Sequence, residues 1–363
     1  FKQNWSEFIK IVHIITALYT GGAERALYNL LQGGLSTEFN SHIISLNDAG
    51  TIGPQIEALG VPVTTLGMRM GRPSLAGLLK LRTTIKALQP DLIQGWMYHG
   101  NLAATLARAM LSESAALIWN IHHSLYDLSH EKVMTRQIIR ANRLFSGSTD
   151  ALLYVSRLSR KQHEAFGFVA NKGQVIHNGI DLQRFGFSEA ARQRVRAELA
   201  IPTDALVVGH VARLHPMKDH ACFLQAAEMI ALQFPNVHFV LSGRDVCIDN
   251  ADLKQKISTP LQNRFHMLGE RSDVADLMSA MDIFCQSSWS EAFPIVLCEA
   301  MAVTVPCVAT NVGDSALIIG DCGVVVTPRD KTTLAAGIES LLALPQTERR
   351  LLGEQARSRI KAK

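Results

Sequence analysis

The sequence predicts an α/β protein of two doubly wound domains, and three observations carry that prediction. The chain has 363 residues, more than the roughly 250 that a single core usually serves. Short apolar runs alternate with segments of helical period, the pattern of parallel strands joined by crossover helices. The alternation breaks at Lys172–Phe185 and restarts at Ala205. The expected division is therefore an N-terminal domain of residues 1–176 and a C-terminal domain of residues 177–363.

In the first half Ile11–Ile15, His42–Leu46, Gly60–Val63, Pro90–Gln94, Ala116–Ile121 and Ala151–Val155 read as extended. Helices are expected after the loop Thr20–Arg25, near Gly53–Leu59, over Leu75–Leu88 and over Asn101–Met110. Asn178-Gly179 supplies turn chemistry between strand-like Val175-Ile176 and a polar helix. In the second half Leu206–Val211, Val237–Ser242, Phe265–Leu268, Ile283–Cys285, Cys307–Ala309 and Val324–Val326 read as strands, with a helix from His220. This is the organisation of two Rossmann-like domains in tandem. Such sheets bind ligands beyond the carboxyl ends of their strands, so chemistry is expected there, in a cleft between facing domains.

With 47% apolar and 19% charged residues and no biased tract, the composition excludes disordered and fibrous classes. Apolar runs such as Ala115–Trp119 are strand-length, far short of the ~20 residues of a spanning helix. Phe1–Lys10 has none of the marks of a signal peptide, and a cytoplasmic chain is expected. Cys222, Cys247, Cys285, Cys298, Cys307 and Cys322 show neither C-x-x-C nor zinc spacing and are expected to be reduced thiols, mostly buried. Residues 1–180 hold 17 Lys and Arg against 11 Asp and Glu, and the remainder 19 against 21. The basic half suits an anionic partner, a phospholipid surface or a phosphate-bearing acceptor, or else is a solvated basic face. No nucleic-acid partner is expected.

Four features could carry chemistry. Gly21-Gly22, between the first strand and a helix, lets an anion approach backbone N–H groups at the helix's positive end, or is a plain tight turn. Arg213 and Lys218 place a planar fork and a point charge on the loop after Leu206–Val211, partners that a diphosphate needs. Glu291 and Glu299 flank a loop expected to become a helix near Pro294, where proline suits the first turn. Glu291 then lies in the loop and Glu299 about one turn inside the helix, as acceptors for sugar hydroxyls. His122-His123 ends the strand Ala116–Ile121, where a histidine can bind a hydroxyl or move a proton. D-x-D, H-E-x-x-H, G-x-S-x-G and P-loop patterns do not occur, which withdraws support from metal-dependent transfer, zinc or serine hydrolysis and P-loop chemistry.

Several segments together resemble the retaining glycosyltransferases of the GT-B fold, group 1, family 4. They are Gly21–Arg25, His177–Asp181, the Arg213/Lys218 loop, Leu241–Gly243, Leu268–Val274 and Ser290–Thr310. The resemblance runs over most of the chain. It implies a nucleoside-diphosphate sugar as donor, no metal or other cofactor, and transfer with retention in which the leaving phosphate helps deprotonate the acceptor. Arg213 and Lys218 would bind the diphosphate, Glu291 the transferred sugar and Glu299 the ribose. Phe293, Pro294 and Ile295 would offer backbone to sugar and phosphate, and Gly269 to Val274 a nucleobase wall. Gly21 and Gly22 would contact phosphate from the first domain, and His122 would be the cleft histidine.

Pro294 stands where many members have glycine, and Thr304 replaces the glycine of a Met-Ala-x-Gly-x-Pro pattern. The resemblance also implies terminal helices beyond Lys363. Lys132, Arg136, Arg140 and Arg143 recur at helical spacing with Val133, Ile139 and Leu144. That basic amphipathic stretch suits an anionic membrane, and with it a lipid-linked or cell-surface glycan acceptor, or else is a solvated basic helix. The rivals are a sugar-nucleotide epimerase of the same architecture and a non-catalytic sugar-nucleotide-binding protein.

Overall fold

A computed structural model describes residues 9–68, 74–113, 115–126 and 128–362. Residues 1–8 of the segment read for a signal peptide, and Lys363, lie outside them. The chain divides into two compact units, Phe1–Gly179 and Ile180–Lys363.

In the first unit the strands are β1 (Lys10–Ile15), β2 (Asn40–Ser45), β3 (Val63–Thr65), β4 (Leu92–Trp96), β5 (Ala116–Ile121), β6 (Ala151–Tyr154) and β7 (Gly173–Val175). They form one parallel sheet in the order β3-β2-β1-β4-β5-β6-β7. In the second unit β8 (Leu206–Val211), β9 (Val237–Ser242), β10 (Phe265–Met267), β11 (Ile283–Gln286), β12 (Cys307–Thr310) and β13 (Gly323–Val326) pair in parallel in the order β10-β9-β8-β11-β12-β13. Both units are thus Rossmann-like. Strand order reverses between β1 and β4 and again between β8 and β11, the two places where such a sheet opens a crevice for ligands.

Both faces of each sheet are covered, which is why the strands read as nearly continuous apolar runs. In the second unit Phe223, Ile230, Leu334 and Ile338 pack on one face, and Leu277, Met278, Leu297 and Met301 on the other. In the first, Leu81, Ile85 and Ala104 cover one face, and Leu27, Leu31 and Ile56 the other. Helix starts follow capping chemistry. Ser74, Ser156 and Ser188 accept the N–H groups of Gly77, Ser159 and Ala191 at the starts of helices Leu75–Leu88, Arg157–Phe166 and Glu189–Glu198.

Several expectations shift: the strands expected over Gly60–Val63 and Pro90–Gln94 are Val63–Thr65 and Leu92–Trp96. The helix expected over Asn101–Met110 is Met97–Ala109, its first residue at φ 62°. Of strand-like Val175-Ile176, Val175 ends β7, which pairs with β6, and Ile176 N–H donates to Tyr154 O at 2.9 Å, so part of the expected break belongs to the first sheet. On the basic helix Val133–Phe145, Ile139 is buried while Val133, Met134, Leu144 and Phe145 are exposed; Ile139 therefore serves the core and not the outward apolar stripe. The polar helix Glu189–Glu198 is anchored by charge: Arg192 and Arg196 donate to the two oxygens of Asp282, at 2.7 and 2.6 Å, and Asp282 also accepts Val207 N–H. All six cysteines are free, four of them buried. No helix among the described residues is long and apolar enough to cross a membrane.

Thr304 takes the glycine position of the turn after helix Ile295–Ala302 at φ 62°. The backbone therefore keeps the left-handed conformation that a β-branched residue disfavours by about 1–2 kcal/mol. Replacing Thr304 by Gly should stabilise the protein by about 1 kcal/mol, read as a rise of a few degrees in thermal midpoint. An unchanged or lowered midpoint would show that the threonine side chain compensates its own strain.

Candidate active site

Of the residues singled out in the second unit, Lys218 and Glu291 meet at the reversal between β8 and β11, Arg213 precedes Lys218 on the loop after β8, and Gly269 and Val274 follow β10. After β8 the chain passes Arg213, which is exposed, and enters a short turn Pro216–Lys218. Asp219, at φ 49°, then caps helix His220–Gln233 by accepting Cys222 N–H at 3.2 Å. Gly243 sets the approach of the neighbouring loop. At φ 152° it lies where a Cβ would overlap the Ala212 carbonyl, so only glycine lets the two loops touch. Leu214 N–H donates to Arg244 O at 2.8 Å across the same contact.

After β11 comes Ser287-Ser288-Trp289-Ser290-Glu291. Glu291 forms an ion pair with Lys218, and Ser288 Oγ donates to the same carboxylate oxygen at 2.7 Å. Both side chains are largely buried, 24% exposed for Lys218 and 12% for Glu291, so solvent screens the pair only partly. Gly313, at φ 55°, sits against the Glu291 and Ala292 carbonyls, where any side chain would collide. Pro294 precedes helix Ile295–Ala302 and provides no side-chain cap, so the helix presents backbone N–H groups at its positive end. Glu299 is half-buried, one turn inside that helix, and Phe293 and Ile295 are half-buried beside Pro294.

Gly269, at φ 70°, accepts Ser242 Oγ and Gly243 N–H through its carbonyl, both at 2.8 Å. Val274 opens helix Val274–Ser279. The loop between is pinned by Arg271, which donates to Asp273 at 2.8 and 2.7 Å and pairs with Glu198.

Behind the Lys218 loop lie two buried histidines. His210 Nδ1 donates to Cys285 O at 2.9 Å and His220 Nε2 to Ala212 O at 3.3 Å, the rings meeting edge to face. Burial lowers their pKa values to about 3 and about 4, so both are neutral braces.

In the first unit Gly21 caps helix Gly22–Leu30 in extended conformation, and the Glu24 carboxylate folds back to where a Gly21 side chain would be. The positive end of this helix thus faces an anion of its own chain. The two histidines after β5 differ. His123 pairs with Glu131 at 2.8 Å. His122 stacks on Trp96, with centroids 5.3 Å apart, and its Nδ1 has no hydrogen-bond partner among the described residues. Trp96 Nε1 in turn donates to His13 Nδ1 at 3.3 Å. Burial lowers His13 and His122 alike to about 4. Gly21, Gly22 and His122 belong to the first unit, the other candidates to the second.

Trp96, Ser287, Ser288 and Trp289 escaped sequence reasoning. Their one signal is position, directly at or after the carboxyl ends of β4 and β11.

Residues 20–184 match the family described as Glycosyltransferase Family 4, and residues 191–359 the family described as Glycosyl transferases group 1. The chain belongs to the family 4, group 1 glycosyltransferases. Like other members it is a glycosyltransferase enzyme. The Bacillus subtilis protein EpsF, named as a glycosyltransferase, is 24% identical over 313 residues, 83% of this chain and 79% of that protein. An Escherichia coli enzyme named UDP-Gal:alpha-D-GlcNAc-diphosphoundecaprenol alpha-1,3-galactosyltransferase is 28% identical over 150 residues, 40% of this chain and 39% of that protein. Among solved structures, Anabaena HepE in complex with UDP-glucose superposes with a TM-score of 0.83 at 23% identity, over 98% of this glycosyltransferase and 95% of HepE. That likeness shows a shared fold.

The buried histidines make the glycosyltransferase acid-labile. His13, His122, His163, His210 and His220 all fall from an ordinary 6.5 to about 3 or 4, burial being the largest cause. The unfolded chain therefore binds protons first as pH falls, so their stabilisation is complete above about pH 6.5 and is lost progressively toward pH 4. The thermal midpoint should drop between about pH 6.5 and 5, above the range where carboxylates titrate. A midpoint flat across that interval would contradict the burial of these imidazoles.

Proposed function

We propose that this glycosyltransferase moves a sugar from a uridine-diphosphate sugar to a lipid-linked or cell-surface glycan, with retention and without a metal ion. The observation that carries the proposal is the Lys218–Glu291 pair, fixed at the strand-order reversal beside the start of helix Ile295–Ala302. Lys218 and Arg213 are assigned to the diphosphate. In the bond-breaking step the C1–O bond to the β-phosphate opens and the acceptor oxygen bonds to C1 from the same face. The acceptor's proton passes to a departing phosphate oxygen. The Lys218 and Arg213 cations and the N-terminal N–H groups of helix Ile295–Ala302 stabilise the charge that develops on the diphosphate, the work a metal would otherwise do.

Glu291 is assigned to hydroxyls of the transferred sugar and Glu299 to the ribose, with the backbone of Phe293, Pro294 and Ile295 facing sugar and phosphate. Gly269 and Val274 border the base. In the first unit Gly21 and Gly22 are assigned to a phosphate contact, for which Glu24 must swing away, and neutral His122 to the sugar. A uridine donor is supported by the UDP-glucose bound in HepE and the UDP-Gal in the name of the Escherichia coli relative. A polyprenyl-diphosphate acceptor is supported by that same name and by the basic helix Val133–Phe145 with its exposed Val133 and Leu144, which suit a peripheral site on an anionic membrane.

Uridine diphosphate should raise the thermal midpoint more than guanosine or adenosine diphosphate does. Lys218→Ala should lower kcat/KM for the donor about 100-fold, while transfer by the unsubstituted enzyme should survive EDTA. Loss of turnover with EDTA and recovery with magnesium would refute metal independence, and unchanged kinetics in Lys218→Ala would refute the diphosphate assignment. Vesicles of anionic lipid should bind the protein at low salt and release it at high salt, where the Debye length shrinks to about 3 Å; failure to bind would remove the membrane.

A further inference from the structure

The turn that carries Lys218 is closed by its own bonds, Met217 N–H to His215 Nδ1 at 3.3 Å and Lys218 N–H to His215 O at 2.9 Å, but it is short. Pro216–Lys218 is three residues of 3-10 geometry, a form that rarely sustains itself, and lysine adds a flexible four-carbon stem. Further support comes from the segment after β11. Trp289 Nε1 donates to Pro216 O at 2.8 Å, and Trp289 N–H to Met217 O at 2.9 Å. Ser287 Oγ lies 2.8 Å from Lys218 O and 3.2 Å from Asp219 O, donating to one or shared between both. Four successive carbonyls, Pro216 to Asp219, thus face donors from two residues of one neighbouring loop. That loop is itself secured: Thr310 Oγ1 donates to Ser288 O, and the Arg329 guanidinium lies 4.3 Å over the Trp289 ring.

We propose that Trp289 and Ser287 are positioning residues that clasp the turn and aim the Lys218 ammonium at the donor diphosphate, an inference that rests on the assignment of Lys218 above. The clasp matters because binding groups misplaced by about 1 Å can cost 100-fold in rate. Trp289 needs its indole N–H for this. Phenylalanine would keep a ring for Arg329 to stack on and lose the bond to Pro216.

A double-mutant cycle on the whole chain tests it, with uridine diphosphate affinity by calorimetry and steady-state kinetics as readouts. Trp289→Phe and Ser287→Ala should each weaken uridine diphosphate binding about fivefold, the effect of one hydrogen bond, with a larger fall in kcat than rise in donor KM. In the Lys218→Ala background the same substitutions should change affinity less than twofold, because nothing remains to be aimed. Equal fold-changes in both backgrounds would overturn the clasp and leave the assignment of Lys218 standing. If Lys218→Ala alone leaves affinity and turnover unchanged, the donor assignment fails, and the clasp with it. Should Trp289→Phe not fold, Ser287→Ala carries the comparison, since it removes only a hydroxyl.

Discussion

The ion pair between Lys218 and Glu291 is the interaction on which the second unit's candidate site turns. β8 and β11 are neighbours in the sheet, but the chain runs from β8 toward one edge and from β11 toward the other. Loops that leave adjacent strands in opposite directions open a crevice, and nothing in the sheet's own hydrogen bonding fixes the distance across it. Lys218 and Glu291 span that gap. A largely buried pair is a poor device for stability, because desolvating two charges offsets most of their attraction. Its value is that it holds a cation and a carboxylate in one place at the mouth of the crevice.

The surroundings are built so that the pair can form. Gly243 and Gly313 bring neighbouring loops to distances that a Cβ would forbid. His210 and His220 stay neutral, so they brace the Lys218 loop without adding a second positive charge behind it. On the opposite ends of the strands Asp282 takes two arginines and the Val207 amide, fixing where β8 and β11 begin. Ordinary core packing supports both ends.

Much of this was legible in the sequence where one residue type has one physical meaning. Ala116–Ile121, Leu206–Val211 and Val237–Ser242 are strands to the residue, because parallel strands covered on both faces must be continuously apolar. Helix Leu75–Leu88 begins after its cap Ser74. Helix Met97–Ala109 starts before the expected Asn101, and Gly95 and Gly100 beside that start are close contacts where a side chain would strike Asn101 and the Ile14 carbonyl. Glu291, Lys218 and Arg213 were legible as charges suited to a diphosphate sugar, but their pairing was not. Serine and tryptophan donating to backbone carbonyls leave no trace in composition or spacing, which is why Ser287 and Trp289 emerged only in three dimensions. The resemblance prefers His122 to His123, but the physical difference shows only in three dimensions, where Glu131 takes His123 and His122 stacks on Trp96.

The geometry of Glu291 also bears on the proposed chemistry. A carboxylate that attacked C1 would have to approach the sugar with a free oxygen and leave behind whatever holds it. In Glu291 one oxygen receives both the Lys218 ammonium and the Ser288 hydroxyl, and attack through it would break two charge-assisted bonds. Those bonds instead suit a carboxylate that stays in place and accepts a sugar hydroxyl while its lysine partner faces the phosphate. On that reading Glu291 is not the nucleophile. In the proposed reaction the leaving diphosphate would carry the charge and take the proton, and the clasped turn, the start of helix Ile295–Ala302 and the two cations would share one task, to hold the diphosphate still as its charge grows.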